Sequence, residues 1–452
     1  MPGVRESGAG AWWLLVAAKL WFLIWAAIGC LAPLQQETFA GAHARWMSGD
    51  EPTLATRVAA WDAAHYLKLA RVGYESGDLS CAFYPLWPIV LRPFLALPGD
   101  GPVWAAWILA NALSAAGLFS VYELWRRRFG PAVARDAWLL LLFYPGALFF
   151  SVPYSEPLFF ALIMLFFWGC ETDRWRWVAF SAFLLPLARP IGILVLLPLV
   201  WVLWERGWPA VPRIRRAVAN RGNRLAMLRQ SRRIEQPRAG TASEGLTRGP
   251  AAGDPAPRVT RPEPCVGVEP AAALAQGIKR SSKGLNGWLA WGLLGALLAG
   301  YAFYFVLMYL WTGNALEGFD IQKVLPNEPS IGHIFKLTGF WQALTSVQDL
   351  DGYSEGLLDR LFFVAAVLSL PWLWRLDRPW FSYVLGAGLV PALTTWFCSY
   401  RRYAVVLFPV FLVWAFWLRR IGPRWMYWYY VIFLAGLQAW ATFSFFTFHF
   451  AG

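Results

Sequence analysis

The sequence predicts an all-α, polytopic membrane protein whose chain crosses the bilayer about ten or eleven times. Hydrophobic residues make up 58% of the chain and charged residues only 15%, whereas a soluble domain has about 25% charged residues. Long apolar runs recur along the whole length, and a helix needs about 20 apolar residues to cross a bilayer core. Many of the 30 tryptophans lie near the ends of these runs, where aromatic side chains favour the membrane interface.

The first half of the chain contains six predicted spans. Four of them are single apolar runs at 11–33, 101–124, 132–152 and 157–171. The stretch 177–204 must contain the other two, bent at Arg189-Pro190, because proline ends or kinks a helix. A single crossing there would put the basic segment that follows on the opposite side of the membrane from the other basic clusters.

Five further spans are predicted after the basic segment, at 288–311, 358–374, 381–397, 403–418 and 425–447. The chain therefore divides into a membrane module at 1–204, a basic loop at 205–287 and a second set of membrane helices at 288–452. Two long segments, 34–100 and 312–357, follow spans one and seven. With the N-terminus on the side of the basic loop, both of these spans lead to the opposite side. We expect both segments on the outer side of the membrane, opposite the basic loop.

The net charge of +13 is concentrated in one part of the chain. Most of the excess lies between Arg206 and Lys283, in a segment rich in proline, glycine and alanine that is typical of a disordered loop. A nucleic-acid partner could explain such a segment, but basic residues beside membrane helices are retained on the cytoplasmic side. We therefore expect a cytoplasmic loop and no nucleic acid. The other basic clusters fit the same side: Arg126–Arg128, Arg174–Arg176, Arg375 with Arg378, and Arg419-Arg420 with Arg424.

The cysteine and histidine positions predict neither a metal site nor a disulfide framework. The five cysteines form no CxxC pair, and the four histidines are dispersed along the chain. Metal sites and disulfide scaffolds are recognised by closely spaced ligands, so no cofactor is expected.

Two stretches of the first outer segment suit the membrane surface better than its core. Residues 54–72 have apolar positions at helical spacing with Asp62, His65 and Lys68 among them, which is typical of an amphipathic interfacial helix. The next apolar stretch, up to Leu97, is interrupted by several prolines, so a second interfacial helix is expected rather than a span.

The polar groups predicted on the outer side suggest a chemistry. Asp62 lies on the first interfacial helix, Glu156 joins spans three and four, and Arg189 lies at the tip of the bent pair. Arg401 and Arg402 join spans nine and ten. Transfer of a sugar from a lipid phosphate to a hydroxyl needs a carboxylate that accepts the proton and cations that hold the leaving phosphate. Asp62 is the candidate base, and the three arginines are candidate phosphate ligands.

Each of these residues also has a purely structural explanation. Asp62 could cap or solvate an interfacial helix, and Glu156 could favour the positive end of span four. Arg401 and Arg402 could extend to lipid headgroups. His65 could lie on the surface or pack against neighbours, so these residues remain hypotheses from the sequence alone.

Several short motifs occur in order along the chain outside the basic loop. They are Trp61-Asp62 with Tyr66, Gly73-Tyr74, Ala82-Phe83-Tyr84-Pro85-Leu86-Trp87-Pro88, Tyr154-Ser155-Glu156-Pro157-Leu158-Phe159, Arg189-Pro190-Ile191-Gly192, and Arg402-Tyr403 with Phe408-Pro409. Their order and their common outer side resemble the PIG-V family, the GPI mannosyltransferase 2 enzymes and their prokaryotic relatives.

The resemblance implies a GT-C glycosyltransferase, a membrane helix bundle with interfacial helices and an acidic catalytic residue in its first outer loop. Asp62 carries over as this acidic catalytic residue. The donor would be a polyprenyl- or dolichyl-phosphate sugar, mannose by analogy, and the acceptor a glycolipid or glycan hydroxyl, with inversion at the anomeric carbon. The expected substrate-binding residues are Trp61, His65, Tyr84, Tyr154, Glu156, Arg189, Arg401, Arg402 and Tyr403. The site would face outward at a prokaryotic plasma membrane, or the lumen of a eukaryotic endoplasmic reticulum.

Two other classes of function remain open from the sequence. A transporter or flippase of a lipid-linked sugar intermediate would explain outer arginines, but it gives no role to Asp62 and predicts charges along a midplane path. A structural partner in a membrane complex would use the basic loop as its contact surface, and deletion of 210–280 would then abolish its function.

Overall fold

The computed structural model describes residues 7–35, 53–208, 285–325, 329–350 and 356–449. Throughout these ranges the regular structure is helical, apart from one β-bridge between Asp349 and Gly356, so the all-α prediction is confirmed. Most of the basic loop predicted at 205–287 lies outside the described residues.

The helices are labelled in chain order. The α-helices are α1 (Ser7–Leu31), α2 (Leu54–Val58), α3 (Asp62–Val72), α4 (Leu86–Leu91), α5 (Gly101–Phe129), α6 (Pro131–Leu142), α7 (Glu156–Glu171), α8 (Trp175–Ala188), α9 (Leu196–Glu205), α10 (Gly287–Thr312), α11 (Glu317–Gln322), α12 (Leu337–Thr345), α13 (Leu357–Leu376), α14 (Arg378–Thr395), α15 (Tyr400–Ala404), α16 (Phe408–Ile421) and α17 (Arg424–Phe446). Short 3-10 helices occupy Leu79–Ala82, Arg92–Ala96, Pro145–Phe150, Pro190–Val195 and Ile331–Phe335.

Five of the described helices, α1, α5, α10, α13 and α17, are long and apolar enough to cross a membrane. They coincide with predicted spans one, two, seven, eight and eleven, so the prediction of a multi-pass helical membrane protein is confirmed to this extent. Large apolar side chains are exposed along them, including Trp12 and Ile24 on α1 and Trp288 and Leu310 on α10. Such exposure suits helices whose outer faces contact lipid rather than water.

Two predicted spans are not continuous helices. The third, 132–152, is α6 followed by the 3-10 helix Pro145–Phe150. The tenth, 403–418, begins with the short helix α15 and becomes regular only at Phe408. A proline stands in the first turn of both Pro145–Phe150 and α16, where it is favoured because the first turn lacks intrahelical partners for its missing N–H.

The predicted amphipathic helix over 54–72 is also interrupted. It consists of α2 and α3, separated by three residues. Trp61, the last of these three, has a positive φ of 57°, a value that the helical conformation does not contain. Asp62 is therefore the first residue of α3 rather than a residue in the middle of a longer helix.

The bend predicted at Arg189-Pro190 is present. Helix α8 ends at Ala188, the next residue Arg189 has an extended backbone, and a 3-10 helix leads from there into α9. The guanidinium of Arg206, just after α9, reaches Asp173 Oδ1 at 2.6 Å and donates to the Cys170 carbonyl at 3.1 Å. Cys170 and Asp173 lie just before α8 and Arg206 lies just after α9, so the two ends of this segment meet. The segment therefore runs out and back, and Arg189 lies at its far tip.

Ion pairs gather at one end of the bundle, which we call the basic end. Arg128 contacts Glu171 and also Asp377, the latter at 2.9 Å. Both Nη atoms of Arg424 donate to the carboxylate of Asp136, at 2.5 and 2.8 Å. These residues belong to the ends of five helices, so the basic clusters that the sequence assigned to one side do meet at one end.

Helices α8 and α10 pack closely at Gly300. A Cβ atom at this position would lie 2.0 Å from the carbonyl oxygen of Phe183. Only glycine permits the two backbones to approach this closely, because any side chain would collide with the neighbouring main chain. This contact ties α10, which follows the basic loop, to the helix that precedes that loop.

We expect Gly300→Ala to lower the thermal unfolding midpoint of the purified protein, because overpacking costs about 1–3 kcal/mol. The matched control is Gly295→Ala on the same helix, where a Cβ would meet nothing within 4 Å. The control should leave the midpoint unchanged or raise it slightly, since alanine favours helix. Equal midpoints for the two variants would contradict the close α8–α10 contact.

Candidate functional site

Four charged side chains converge at the end of the bundle opposite the basic end. They are Asp62, Glu156, Arg189 and Arg402, and we call them the charged cluster. The guanidinium of Arg402 contacts both carboxylates, with Nη1 on Asp62 Oδ2 and Nε on Glu156 Oε1. Arg189 Nη1 reaches the same Glu156 oxygen at 2.5 Å. Helix α7 separates Glu156 in this cluster from Glu171 at the basic end by about 22 Å, at 1.5 Å per residue.

Glu156 is the most deeply buried member of the cluster. Its side chain has 0% exposure, and it begins α7, where the positive helix end favours an acid. A carboxylate without water around it must be paired to remain charged. Arg189 and Arg402 supply that pairing from two different segments of the chain, so Glu156 holds the two guanidinium groups close together.

Two tyrosines, Tyr154 and Tyr66, border the charged cluster. The ring of Tyr154 lies under the guanidinium of Arg402, 4.6 Å from its carbon to the ring centroid. The Tyr154 hydroxyl accepts a hydrogen bond from the backbone N–H of Asp62 at 3.3 Å. The hydroxyl of Tyr66 pairs with Ser155 Oγ at 2.7 Å. Burial raises the pKa of both tyrosines above its ordinary value, so both remain neutral phenols.

Arg402 carries a permanent charge in this setting. Burial opposes its ionisation, but Asp62 and Glu156 outweigh burial and raise its pKa well above the ordinary value. Its side chain is 11% exposed, whereas that of Asp62 is 25% exposed. Asp62 is therefore the partly exposed carboxylate of the cluster, whereas Glu156 is buried.

The backbone just before Asp62 is strained. Trp61 has φ 57° and ψ −128°, a combination that a bulky residue rarely adopts. Its half-buried ring lies 6.0 Å from the ring of Phe448, which follows α17. Strained residues cost about 1–3 kcal/mol each and concentrate at functional sites, where the surrounding structure holds them.

The structure brings six of the predicted site residues together: Asp62, Tyr154, Glu156, Arg189, Arg402 and Tyr403. Arg189 is stacked over the ring of Tyr403, 5.2 Å from its centroid, and donates to Ser155 Oγ at 3.3 Å. Trp61 adjoins this group through the chain. The members come from α3, from the start of α7 and the residues just before it, from the tip after α8 and from α15, so only the fold unites them.

Three predicted site residues, His65, Tyr84 and Arg401, have their main contacts outside the charged cluster. His65 lies three residues after Asp62 on the same face of α3, with Nδ1 2.9 Å from Ser80 Oγ and its ring stacked on Phe83. The ring of Tyr84 is buried and stacks on Tyr304 of α10, at 4.5 Å between centroids.

Arg401, which was expected beside Arg402 and Arg189 as a phosphate ligand, lies against a different carboxylate. Its guanidinium is 1% exposed, and its Nε lies 3.5 Å from Asp359 Oδ1 on α13. Asp359 was not expected near the site, because no motif or spacing in the sequence links it to Arg401. Tyr66 and Ser155, whose hydroxyls border the cluster, stood in the motifs but were not assigned to the site.

In the part of the chain that the structure describes, no group of three His, Cys, Asp or Glu side chains is placed to hold a metal ion. Comparisons of the chain with protein-family models, curated proteins and solved structures give no match. The function is therefore inferred from the geometry of the charged cluster.

We expect Glu156→Gln to destabilise the protein by about 3–5 kcal/mol, because it leaves the guanidinium of Arg189 buried without a carboxylate. The matched control is Asp78→Asn, which removes the partner of the half-exposed Lys68 and should cost no more than about 1 kcal/mol. Thermal unfolding in detergent measures both. Similar losses in the two variants would indicate that Glu156 does not hold the cluster together.

Proposed function

We propose that the protein is an integral-membrane glycosyltransferase of the GT-C type, related to the PIG-V mannosyltransferases. It moves a hexose, mannose by analogy, from a polyprenyl- or dolichyl-phosphate donor to a hydroxyl of a glycolipid or glycan. The observation that carries the proposal is the bridge that Arg402 makes between the accessible Asp62 and the buried Glu156, with Arg189 on the same Glu156 oxygen. This arrangement combines a carboxylate base with two cations.

The proposed architecture is a bundle with eleven crossings. The five long apolar helices supply five of them, and α6 with its 3-10 extension, α7, α8, α9, α14 and α16 supply the rest. Contacts at both ends support a crossing by α7, because this helix begins in the charged cluster and ends beside Arg128. Helices α3 and α4 then lie at the membrane surface, on the side opposite the basic loop.

A lipid-phosphate donor fits the position and charge of the cluster. The carrier's tail stays in the bilayer while its phosphate lies at the surface, which is where a cluster at the bundle end would meet it. Arginine binds phosphate oxygens through two parallel N–H groups. Arg189 and Arg402 can both turn toward one phosphate, since Glu156 already holds them within reach of each other.

The exposure of the two carboxylates decides their roles. Glu156 has no exposed surface and stays with the arginines, whereas Asp62 is 25% exposed at the start of α3. When the donor phosphate draws Arg402 toward itself, the Asp62 carboxylate is freed. It then accepts the proton of the acceptor hydroxyl as a general base.

The reaction is a single displacement at the anomeric carbon. The acceptor oxygen attacks this carbon while its proton passes to Asp62. The bond between the anomeric carbon and the phosphate oxygen breaks, and polyprenyl phosphate leaves with the electron pair. Arg189 and Arg402 stabilise the negative charge that develops on the leaving phosphate. Attack from the opposite face inverts the anomeric configuration.

The neighbouring side chains give the sugar and the acceptor contact surfaces. His65 and the Phe83 ring stacked on it continue the exposed face of α3 beyond Asp62. Trp61 borders Asp62 on the other side. We assign Trp61 and His65 to substrate contact, and the buried Tyr84 to support of the loop that carries Phe83.

We expect Asp62→Asn to lower sugar transfer by about 10²–10⁴-fold, the range that a general base contributes, with normal expression and membrane insertion. The assay measures radiolabelled mannose transferred from polyprenyl-phosphate mannose in membranes that contain the protein. Asp320→Asn, which neutralises an exposed acid paired with Lys323, is the control and should transfer normally. Near-normal transfer by Asp62→Asn would remove Asp62 as the base.

The same assay separates the enzyme from a transporter. Label that appears in a new product only with active protein supports the transferase. Label that changes sides of the membrane without entering a product would favour a transporter or flippase of a lipid-linked sugar.

We expect Arg402→Ala to raise the donor KM by about 10–100-fold, because a hydrogen bond to a charged group contributes about 1.5–3 kcal/mol. Lys68→Ala removes a half-exposed cation on the same helix as Asp62 and should leave the donor KM unchanged. Initial rates at varied donor concentration give both values. An unchanged donor KM in a folded Arg402→Ala variant would exclude Arg402 from the phosphate site.

A further inference from the structure

The segment that leads into Arg402 is held in an unfavourable backbone conformation. Trp396, Phe397 and Ser399 have positive φ values of 50°, 69° and 54°, and none of them is glycine. Each such residue costs about 1–3 kcal/mol and persists only where surrounding contacts hold it. These contacts therefore determine where α15 begins and which way its side chains face.

One of these contacts is between Arg401 and Asp359. The backbone N–H of Arg401 donates to Asp359 Oδ1 at 2.6 Å, and the Nε of the same residue lies 3.5 Å from that oxygen. Both side chains are 1% exposed. One buried carboxylate thus fixes both the main chain and the side chain of the residue before Arg402.

Gly146 closes the space on another side of α15. A Cβ at this position would lie 2.5 Å from the Arg401 carbonyl oxygen, so glycine allows the 3-10 helix Pro145–Phe150 to approach Arg401 this closely. The same 3-10 helix supplies Phe149, whose ring centroid lies 5.5 Å from the guanidinium carbon of Arg402. Helix α15 is therefore held between α13 and this 3-10 helix.

Arg360, next to Asp359, ties the strained segment to the second outer segment. Its Nε donates to the Ala343 carbonyl at 3.0 Å, and its Nη2 donates to the Ser346 carbonyl at 3.0 Å. Its guanidinium also lies over the ring of Phe397, 5.1 Å from the centroid. The start of α13 thus contacts both the second outer segment and the strained segment that precedes Arg402.

We propose that Asp359 and Arg401 form a positioning pair that keeps Arg402 in contact with Asp62 and Glu156. Successive residues of a helix point about 100° apart. When Arg401 is fixed on Asp359, Arg402 is directed to a different side of α15, where the two acids lie. The consequence for catalysis rests on the function proposed above, whereas the positioning itself does not.

Carboxylate labelling of the purified full-length protein tests the positioning directly. A carbodiimide with an amine tag labels accessible carboxylates, and mass spectrometry gives the labelling rate at Asp62. Asp359→Asn should raise this rate about tenfold, because loss of the carboxylate charge weakens its contacts with Arg401. Arg402→Ala should do the same, and the combined variant should not exceed Arg402→Ala alone, because both act on one contact.

Asp320→Asn is the control and should leave the Asp62 labelling rate at the wild-type value. Gly146→Ala provides a second variant without a charge change, and it should also raise the rate, because its methyl group displaces the Arg401 carbonyl. A wild-type labelling rate at Asp62 in folded Asp359→Asn, or in folded Gly146→Ala if the first variant does not fold, would overturn the proposal.

Transfer kinetics then give the catalytic consequence. Asp359→Asn should raise the donor KM about tenfold with a smaller change in kcat, and it should add nothing in the Arg402→Ala background. An additive loss would indicate a general structural role and would overturn the proposal. If wild-type protein transfers no sugar, the proposed function fails, and the Asp62 labelling rates still decide whether the pair positions Arg402.

Discussion

The burial of Glu156 is the constraint on which the rest of the site depends. A carboxylate with 0% exposure can stay charged only if cations are brought to it. Arg189 comes from the tip between α8 and α9, and Arg402 comes from α15, so their meeting at Glu156 fixes three distant parts of the chain against each other. Arg402 then extends the same network to Asp62 at the edge of the cluster. The guanidinium of Arg402 therefore both stabilises the bundle and takes part in the proposed chemistry.

This arrangement explains why strain accompanies the site. Both partners of the Asp62–Arg402 ion pair follow unfavourable backbone: Asp62 comes after Trp61, and Arg402 comes after Phe397 and Ser399. The bundle holds these conformations through buried contacts, including the Asp359–Arg401 pair and the packing of Gly146. A phosphate that binds Arg402 would compete with Asp62 for it. In the proposed mechanism, the contact between Asp62 and Arg402 is therefore replaced by two separate roles during transfer.

Much of the bundle could be predicted from the sequence because apolar length determines which helices can cross a bilayer. The bend at Arg189 followed from its proline and from the sidedness of the basic clusters. The direction of Arg401 could not be predicted, because α15 is a short helix whose orientation depends on Asp359, 42 residues away in the chain. The contacts of Lys19 could not be predicted either, because no sequence pattern connects α1 with the segment that it meets. Its Nζ donates to Ser151 Oγ and to the Phe150 carbonyl, both at 2.9 Å.

The most direct measurement is an electron cryo-microscopy map of the full-length protein in lipid nanodiscs with polyprenyl-phosphate mannose bound. We predict phosphate density between the guanidinium groups of Arg189 and Arg402, with the anomeric carbon facing Asp62 and the polyprenyl tail in the lipid beside the bundle. Phosphate density at the basic end, beside Arg424 and Asp136, with the charged cluster unchanged, would contradict the account.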